Sequence, residues 1–561
     1  MNYKYFGAMI DVSRNAVMKP ESVKRYIDAI SKMGYNMLQL YTEDTYEIEG
    51  EEYFGYMRGR YTLDELRDID AYAKSKGVEL IPCIQTLAHL PALVRHSTYQ
   101  PYVDTADILL VGDERTYALI DKMFATISKA FTSRLVNIGM DEAHFVGLGK
   151  YLDKNGYRNR FDILVDHLKR VMEIANKYGF KAHMWSDMFF RLAFKENYDN
   201  DSPDPKKHFP KSVPDTAGDG YYVDRVIDFS DELVNKIPED VELVYWDYYN
   251  VDKKIYDAMF DSHKKLGRNL WFAGGVWTSR GFAPFNRYAL KSMKVAMQSV
   301  IERKIENVFI CAWGDDGKEC SYFTILPVLY AIRQYADGNF DEEKIAEGFK
   351  ELFGVDYYDL KSLEICNGEK VYNGRNGEEN PQNPCKSLLY NDPFLSLLDK
   401  VVEEEFDIPY EKYAEELREK SKAAGEFTYL FDMYASLCEL LSVKAELGLR
   451  TRRFYQANDK KGLLEITRDY DRCISLLDRF YRDFKRLWKI ENKPHGFEVH
   501  EIRLGGLKLR LESCKEKLVE YVNGERSEIP ELAEKILSEN PNAYFHCNKY
   551  AHLATFGILG E

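Results

Sequence analysis

Two adjacent carboxylates, Asp141 and Glu142, with His144 just beyond them, are the residues best placed to do chemistry. They close the stretch Arg134 to His144. Residues 135–138 carry the Val and Ile content of a short buried strand. Neighbours in a continuing strand point to opposite faces. Both carboxylates therefore reach one pocket only if the chain turns where the strand ends, a turn that Gly139 permits. Like charges that close push one pKa upward, and a carboxyl held protonated near neutral pH can act as a general acid. An isolated Asp-Glu pair reads more commonly as a helix cap beside a solvated neighbour, so the surrounding chain has to decide.

The elements that would position this pair alternate. Strands are predicted at 5–11, 37–41, 79–84, 135–138, 181–185, 242–246, 270–273 and 307–312, with helices between and after them up to 324–335. Pro20 opens the first helix. Thr62 with Glu65 forms a capping box for the second, which Gly77 ends. Eight such repeats predict a parallel (β/α)8 TIM barrel of class α/β over residues 1–338. In that architecture chemistry sits at the C-terminal ends of the strands, and polar and aromatic residues collect there: Arg14, Glu43, Asp44, His89, Asp141, Glu142, Trp185, Asp187, Trp246, Tyr248, Trp277, Trp313 and Asp315. The Pro-rich polar segment 190–222 is long enough for a lid over such a site. From 339 to 561 the alternation stops. Residues 366–395 are turn-rich, and helices are predicted at 409–450, 459–489, 499–521 and 528–538, giving an all-α C-terminal domain. Its apolar faces would suit a homodimer interface.

Composition narrows the partners. The 561-residue chain has 45% hydrophobic and 30% charged residues and a net charge of −15. This is a globular composition without the basic stripe that nucleic acid requires. No apolar run is long enough to span a bilayer and no signal-like N-terminus stands out. The nine cysteines are dispersed, with no CxxC, as expected for reduced thiols in a cytoplasm. The 41 tyrosines suit sugar-stacking surfaces and core packing equally.

The ordered motifs resemble glycoside hydrolase family 20. They are Gly7 to Arg14 on the first strand, Tyr61 to Pro82 over the second helix and third strand, His89, the Gly139-Met-Asp-Glu142 stretch, and Trp313-Gly-Asp315 on the eighth strand. Residues Gln85 to His89 and the Glu43-Asp44 pair place the resemblance in the branch of hexosaminidase D and related bacterial enzymes. The resemblance implies a retaining β-N-acetylhexosaminidase acting on a glycan with a terminal N-acetylhexosamine, without metal or cofactor. The substrate's own acetamido group would be the nucleophile. Glu142 would be the acid and base, and Asp141 the acceptor of the acetamido N–H. Tyr248 would donate to the acetamido carbonyl, with Tyr249 and Tyr245 as alternatives. Trp185, Trp246, Trp277 and Trp313 would wall the sugar. Arg14, Glu43, His89 and Asp315 would contact hydroxyls, His89 alternatively orienting a carboxylate and Asp44 alternatively pairing with Arg14. The resemblance also implies an arginine clamp just before Gly7, where this chain has Phe6. That departure predicts weak discrimination between the gluco and galacto epimers. Two competing classes remain: a metal-dependent hydrolase using His89, Asp141, Glu142, His144 and Asp187, which added chelator would reveal, and a non-catalytic sugar-binding protein, which would have no need of both Asp141 and Glu142. A different exo-glycosidase specificity on the same barrel is a third alternative.

Overall fold

The computed structural model describes residues 2–193, 229–369, 383–395, 398–405, 407–536 and 549–559. Eight strands close into a barrel: β1 (Tyr5–Asp11), β2 (Met37–Thr42), β3 (Glu79–Ile84), β4 (Leu135–Asn137), β5 (Lys181–Trp185), β6 (Glu242–Trp246), β7 (Leu270–Val276) and β8 (Asn307–Ala312). Each pairs in parallel with the next in sequence, and β8 returns to β1 in the register Tyr5↔Asn307 to Ile10↔Ala312. All eight lie where the sequence places them. The reason is local chemistry repeated eight times. Apolar runs that are buried along nearly their full length suit a parallel sheet covered by helices, and helix starts between them are fixed by caps. Thr62 Oγ1 accepts the Glu65 N–H while Glu65 accepts the Thr62 N–H.

The expected barrel omitted one feature, a small antiparallel hairpin of Val103–Thr105 with Ile108–Leu109 in the connection after β3. Asp104 buttresses the start of the next connection from there, accepting the backbone N–H groups of Gly147 and Tyr151.

Beyond Ala312 no strand occurs among the described residues. Two long helices, Lys460–Glu491 and Phe497–Asn523, match the predicted ones. The predicted helix 409–450 is instead three, Tyr410–Ser421, Thr428–Lys444 and Leu447–Gln456, the first break falling where the chain turns at Gly425 with φ +53°. Within the described part of the predicted helix 528–538, the helical residues are a single turn, Pro530–Ala533. The turn-rich stretch contains the helix Pro384–Tyr390, and most of the expected lid, from residue 194 onward, lies outside the described residues. The eight described cysteines are buried free thiols. No helix among the described residues is long and apolar enough to cross a membrane.

Candidate active site

At the C-terminal end of β4 the backbone makes the turn that the carboxylate pair needs. Gly139 (φ +72°), Met140 (φ +70°) and Glu142 (φ +48°) all lie in the left-handed region. Such conformations at non-glycine residues cost about 1–3 kcal/mol each and concentrate at functional sites. Gly139 is required for a second reason: a Cβ there would lie 2.1 Å from Gln85 Oε1. Gln85, just past β3, uses its other end to fix the first carboxylate, donating to Asp141 Oδ1 at 2.8 Å.

His89, also left-handed at φ +57°, bridges the pair. Its Nε2 lies 3.1 Å from Asp141 Oδ2 and 3.4 Å from Glu142 Oε2. Burial disfavours the charge on His89, but the two carboxylates raise its pKa well above the ordinary histidine value. In return, although burial pushes both carboxyls up, His89 holds Asp141 and Glu142 below their usual values. The expected upward push on one member of the pair is therefore overridden by His89. Two other carboxyls are raised instead. Asp187 accepts the Glu142 N–H at 2.9 Å, and burial plus the charges of Asp141 and Glu142 push it up to about 8. Glu43 is pushed to about 7 by burial, in spite of Arg14.

The pocket in front of the pair has a volume of about 190 Å³, below the roughly 300–1,000 Å³ of drug-sized ligand sites, and so suits one sugar unit. Its lining includes Arg14, Asp141, Glu142, Trp185, Trp246, Tyr248, Trp277, Trp313 and Asp315. These are nine of the eleven predicted site residues. Trp246 stacks on Tyr248 with ring centroids 5.4 Å apart, and Trp185 lies 6.1 Å from Trp313. Tyr248 packs so closely over β7 that a Cβ on Gly275 would lie 2.3 Å from its ring. Tyr249 also lines the pocket, whereas Tyr245 lies behind it, donating to Asp247 at 2.7 Å.

The other two predicted residues, Glu43 and His89, stand behind the lining. Glu43 is 5% exposed, accepts the Tyr41 hydroxyl at 3.1 Å and pairs with Arg14 Nε at 3.4 Å. In the structure it braces Tyr41 and Arg14. Asp44 pairs with Arg58, not with Arg14. Arg14 is gripped from all sides. Asp11 accepts its backbone N–H at 3.0 Å, Asp315 its Nη1 at 2.7 Å, and its guanidinium lies over Trp313 at 4.8 Å. Phe6 is remote from all of this. At the opposite end of β1 it packs on Tyr35, Tyr3 and Arg333 among the outer helices. An arginine there could not clamp a ligand in the pocket, whose lining takes a guanidinium from Arg14 at the other end of β1.

Sequence reasoning missed Ser279 and Arg280, which join the lining from the loop after β7. Arg280 lies over the Trp277 ring at 5.4 Å, and Trp277 was the only signal to their position. Among the described residues no group of three or more His, Cys, Asp or Glu is arranged to hold a metal. His144, with its pKa lowered to about 4 by burial and Arg191, is absent from the lining.

A carboxylate pair on a barrel strand end therefore faces a tryptophan-walled pocket with room for one sugar unit. Residues 3–202 match the family model for the glycosyl hydrolase family 20 catalytic domain, and residues 356–549 match that for the glycoside hydrolase 20C C-terminal domain. The chain belongs to glycoside hydrolase family 20. Beta-hexosaminidase 3 of Arabidopsis thaliana is 23% identical over 35% of this chain and 39% of its own length. Hexosaminidase D of Bos taurus is 20% identical over 54% of this chain and 80% of its own length. The chain thus spans about two fifths of the first of these relatives. Among solved structures, a GH20 exo beta-N-acetylglucosaminidase from Vibrio harveyi aligns with a TM-score of 0.46 at 15% identity, over 64% of this chain and 58% of that one.

Proposed function

We propose that the protein is an exo-acting, retaining β-N-acetylhexosaminidase that removes terminal N-acetylglucosamine, N-acetylgalactosamine or both by substrate-assisted catalysis. The observation that carries this reading is the Asp141–His89–Glu142 cluster opening on a pocket of one-sugar size. Asp141, fixed by Gln85, accepts the acetamido N–H and turns the acetamido oxygen toward C1. That oxygen forms the new bond to C1 as the glycosidic bond breaks, and Glu142 gives its proton to the departing oxygen. In the second step Glu142 takes a proton from water, whose oxygen bonds C1 and releases the acetamido oxygen. The Glu142 side chain is 31% exposed. Substrate covering it removes that solvent and favours the protonated, acidic form that the first step needs. Tyr248 faces the acetamido carbonyl, Trp185, Trp246, Trp277 and Trp313 enclose the sugar, and Arg14 with Asp315 meets its ring hydroxyls.

The test is turnover of p-nitrophenyl N-acetyl-β-glucosaminide and its galacto epimer, with a thiazoline analogue of the cyclic intermediate as inhibitor. Hydrolysis of either epimer with tight thiazoline inhibition is expected. Turnover of glycosides lacking the 2-acetamido group at equal rate would overturn the substrate-assisted route.

A further inference from the structure

Arg14 and Asp315, the ion pair on the pocket wall, sit on two loops that end in the same place. One residue past Arg14, Asn15 Nδ2 donates to Gly317 O at 2.9 Å and to Gly496 O at 3.0 Å. One residue past Asp315, Asp316 is held by three groups from the helical C-terminal region: Lys386 Nζ at 2.9 Å, Arg503 Nη2 at 2.8 Å and the backbone N–H of Tyr550 at 2.6 Å. The grip continues along the loop. His500 Nε2 meets Gly317 O at 2.8 Å. Glu319 is paired to Lys386 at 2.8 Å and Arg503 at 3.2 Å, and Ser321 donates to Glu491 at 2.5 Å. Gly317 itself sits at φ +100°, with Arg503 Nη1 2.7 Å from where a Cβ would be.

Much of this network is buried: the Lys386 and Glu319 side chains are each 1% exposed. A buried ion-pair network is a poor source of net stability, because desolvation offsets its Coulomb gain. Its geometric constraint is strong, since each partner leaves an unpaired buried charge if the loop shifts. The same network touches neither Asp141 nor Glu142.

We infer that the C-terminal helical region is a positioning element of the active site: through Arg503, Lys386, His500 and the Asn15–Gly496 tie it sets the Arg14–Asp315 pair, and so the recognition of the sugar's hydroxyls. This inference rests on the hexosaminidase reading above. None of these residues is catalytic. They act through Arg14 and Asp315.

The experiment compares Arg503→Met, Arg503→Lys, Asn15→Gly and, as control, Arg510→Met in the full chain. Arg510 lies on the same helix and holds Asp392 at 2.6 Å, away from the loop. Asn15→Gly removes both amide hydrogen bonds at a backbone φ of +78° that glycine adopts freely, so it tests the tie even where Arg503→Met folds poorly. The expected result is a roughly tenfold rise in KM with kcat within about threefold for Arg503→Met and Asn15→Gly, with an altered ratio of kcat/KM between the epimers. Arg503→Lys should recover part of the KM. Arg510→Met should lose stability and leave KM within about twofold. Unchanged KM and epimer ratio in a folded Arg503→Met or Asn15→Gly protein overturns the inference, as does an equal KM effect from Arg510→Met. A wild type inactive on both epimers would instead reject the proposed function.

Discussion

Replacing Asp187 with Asn tests the electrostatics of the site without touching its shape. Asp187 is 5% exposed, its Oδ2 accepts the Glu142 N–H, and its Oδ1 has no hydrogen-bond partner among the described residues. Burial raises its pKa most, and Asp141 on the β4 loop adds to that. Glu142 raises it further, while its own N–H and His89 from the β3 loop pull the other way, leaving about 8 against an ordinary 3.8. The sign follows from proton counting. Between about pH 4 and pH 8 the folded chain keeps a proton that the unfolded chain has lost, so wild-type stability falls as pH rises through that window. The decline is at most about 1.4 kcal/mol per pH unit and ends above the folded pKa. Asn keeps the acceptor and the volume and has nothing to titrate. The variant should therefore gain on the wild type by up to about 2.7 kcal/mol between pH 5 and pH 7, read from urea midpoints at each pH. Turnover at pH 6–7 should stay within about tenfold of wild type, since a neutral side chain is what the site holds there. Parallel stability profiles, or a wild type that gains on the variant with rising pH, would show that Asp187 is ionised and that the charge balance derived from burial is wrong.

Three other substitutions probe the pair and its turn. Glu142→Gln should lower turnover by about 10²- to 10⁴-fold on glycosides with poor leaving groups, and near-normal rates would remove it from the acid–base role. Asp141→Asn should lower kcat through loss of acetamido orientation and of the His89 contact at 3.1 Å. Equal loss on substrates with and without the acetamido group would argue against that role. Gly139→Ala should destabilise by about 2–4 kcal/mol, combining left-handed strain with overlap on Gln85, and should lower turnover as Gln85 releases Asp141. An unfolding midpoint equal to wild type would refute that account.

What was legible in the sequence is what depends on local chemistry. The strands of the barrel follow from apolar runs between capped helices, and Trp185, Trp246, Trp277 and Trp313 were found because strand ends converge on one face. What was not legible depends on groups distant along the chain. The protonation balance of Glu142 sets burial against His89, which reaches it from the loop after β3, its backbone N–H is held by Asp187 from just past β5, and Arg280 enters on a loop with no periodic signal. Phe6 shows the difference most clearly. Its place beside Gly7 invites comparison with an active-site position, but the second residue of β1 lies at the far end of the barrel from the pocket. Its ring meets Tyr35 at 5.0 Å, in the layer between strand and helices. Arg14, by contrast, follows the C-terminal end of β1, where the Asp11 carboxylate fixes its backbone. On the proposed reading epimer preference is a matter for Arg14 and Asp315, which line the pocket, and the weak discrimination expected from Phe6 loses its basis. Phe6→Leu should cost about 1–2 kcal/mol as a core truncation while leaving KM and the epimer ratio within about twofold, whereas Arg14→Met should raise KM on both epimers. A Phe6→Leu protein whose epimer ratio moved as far as that of Arg14→Met would mean that the β1 entrance is coupled to the pocket by contacts the barrel geometry does not supply.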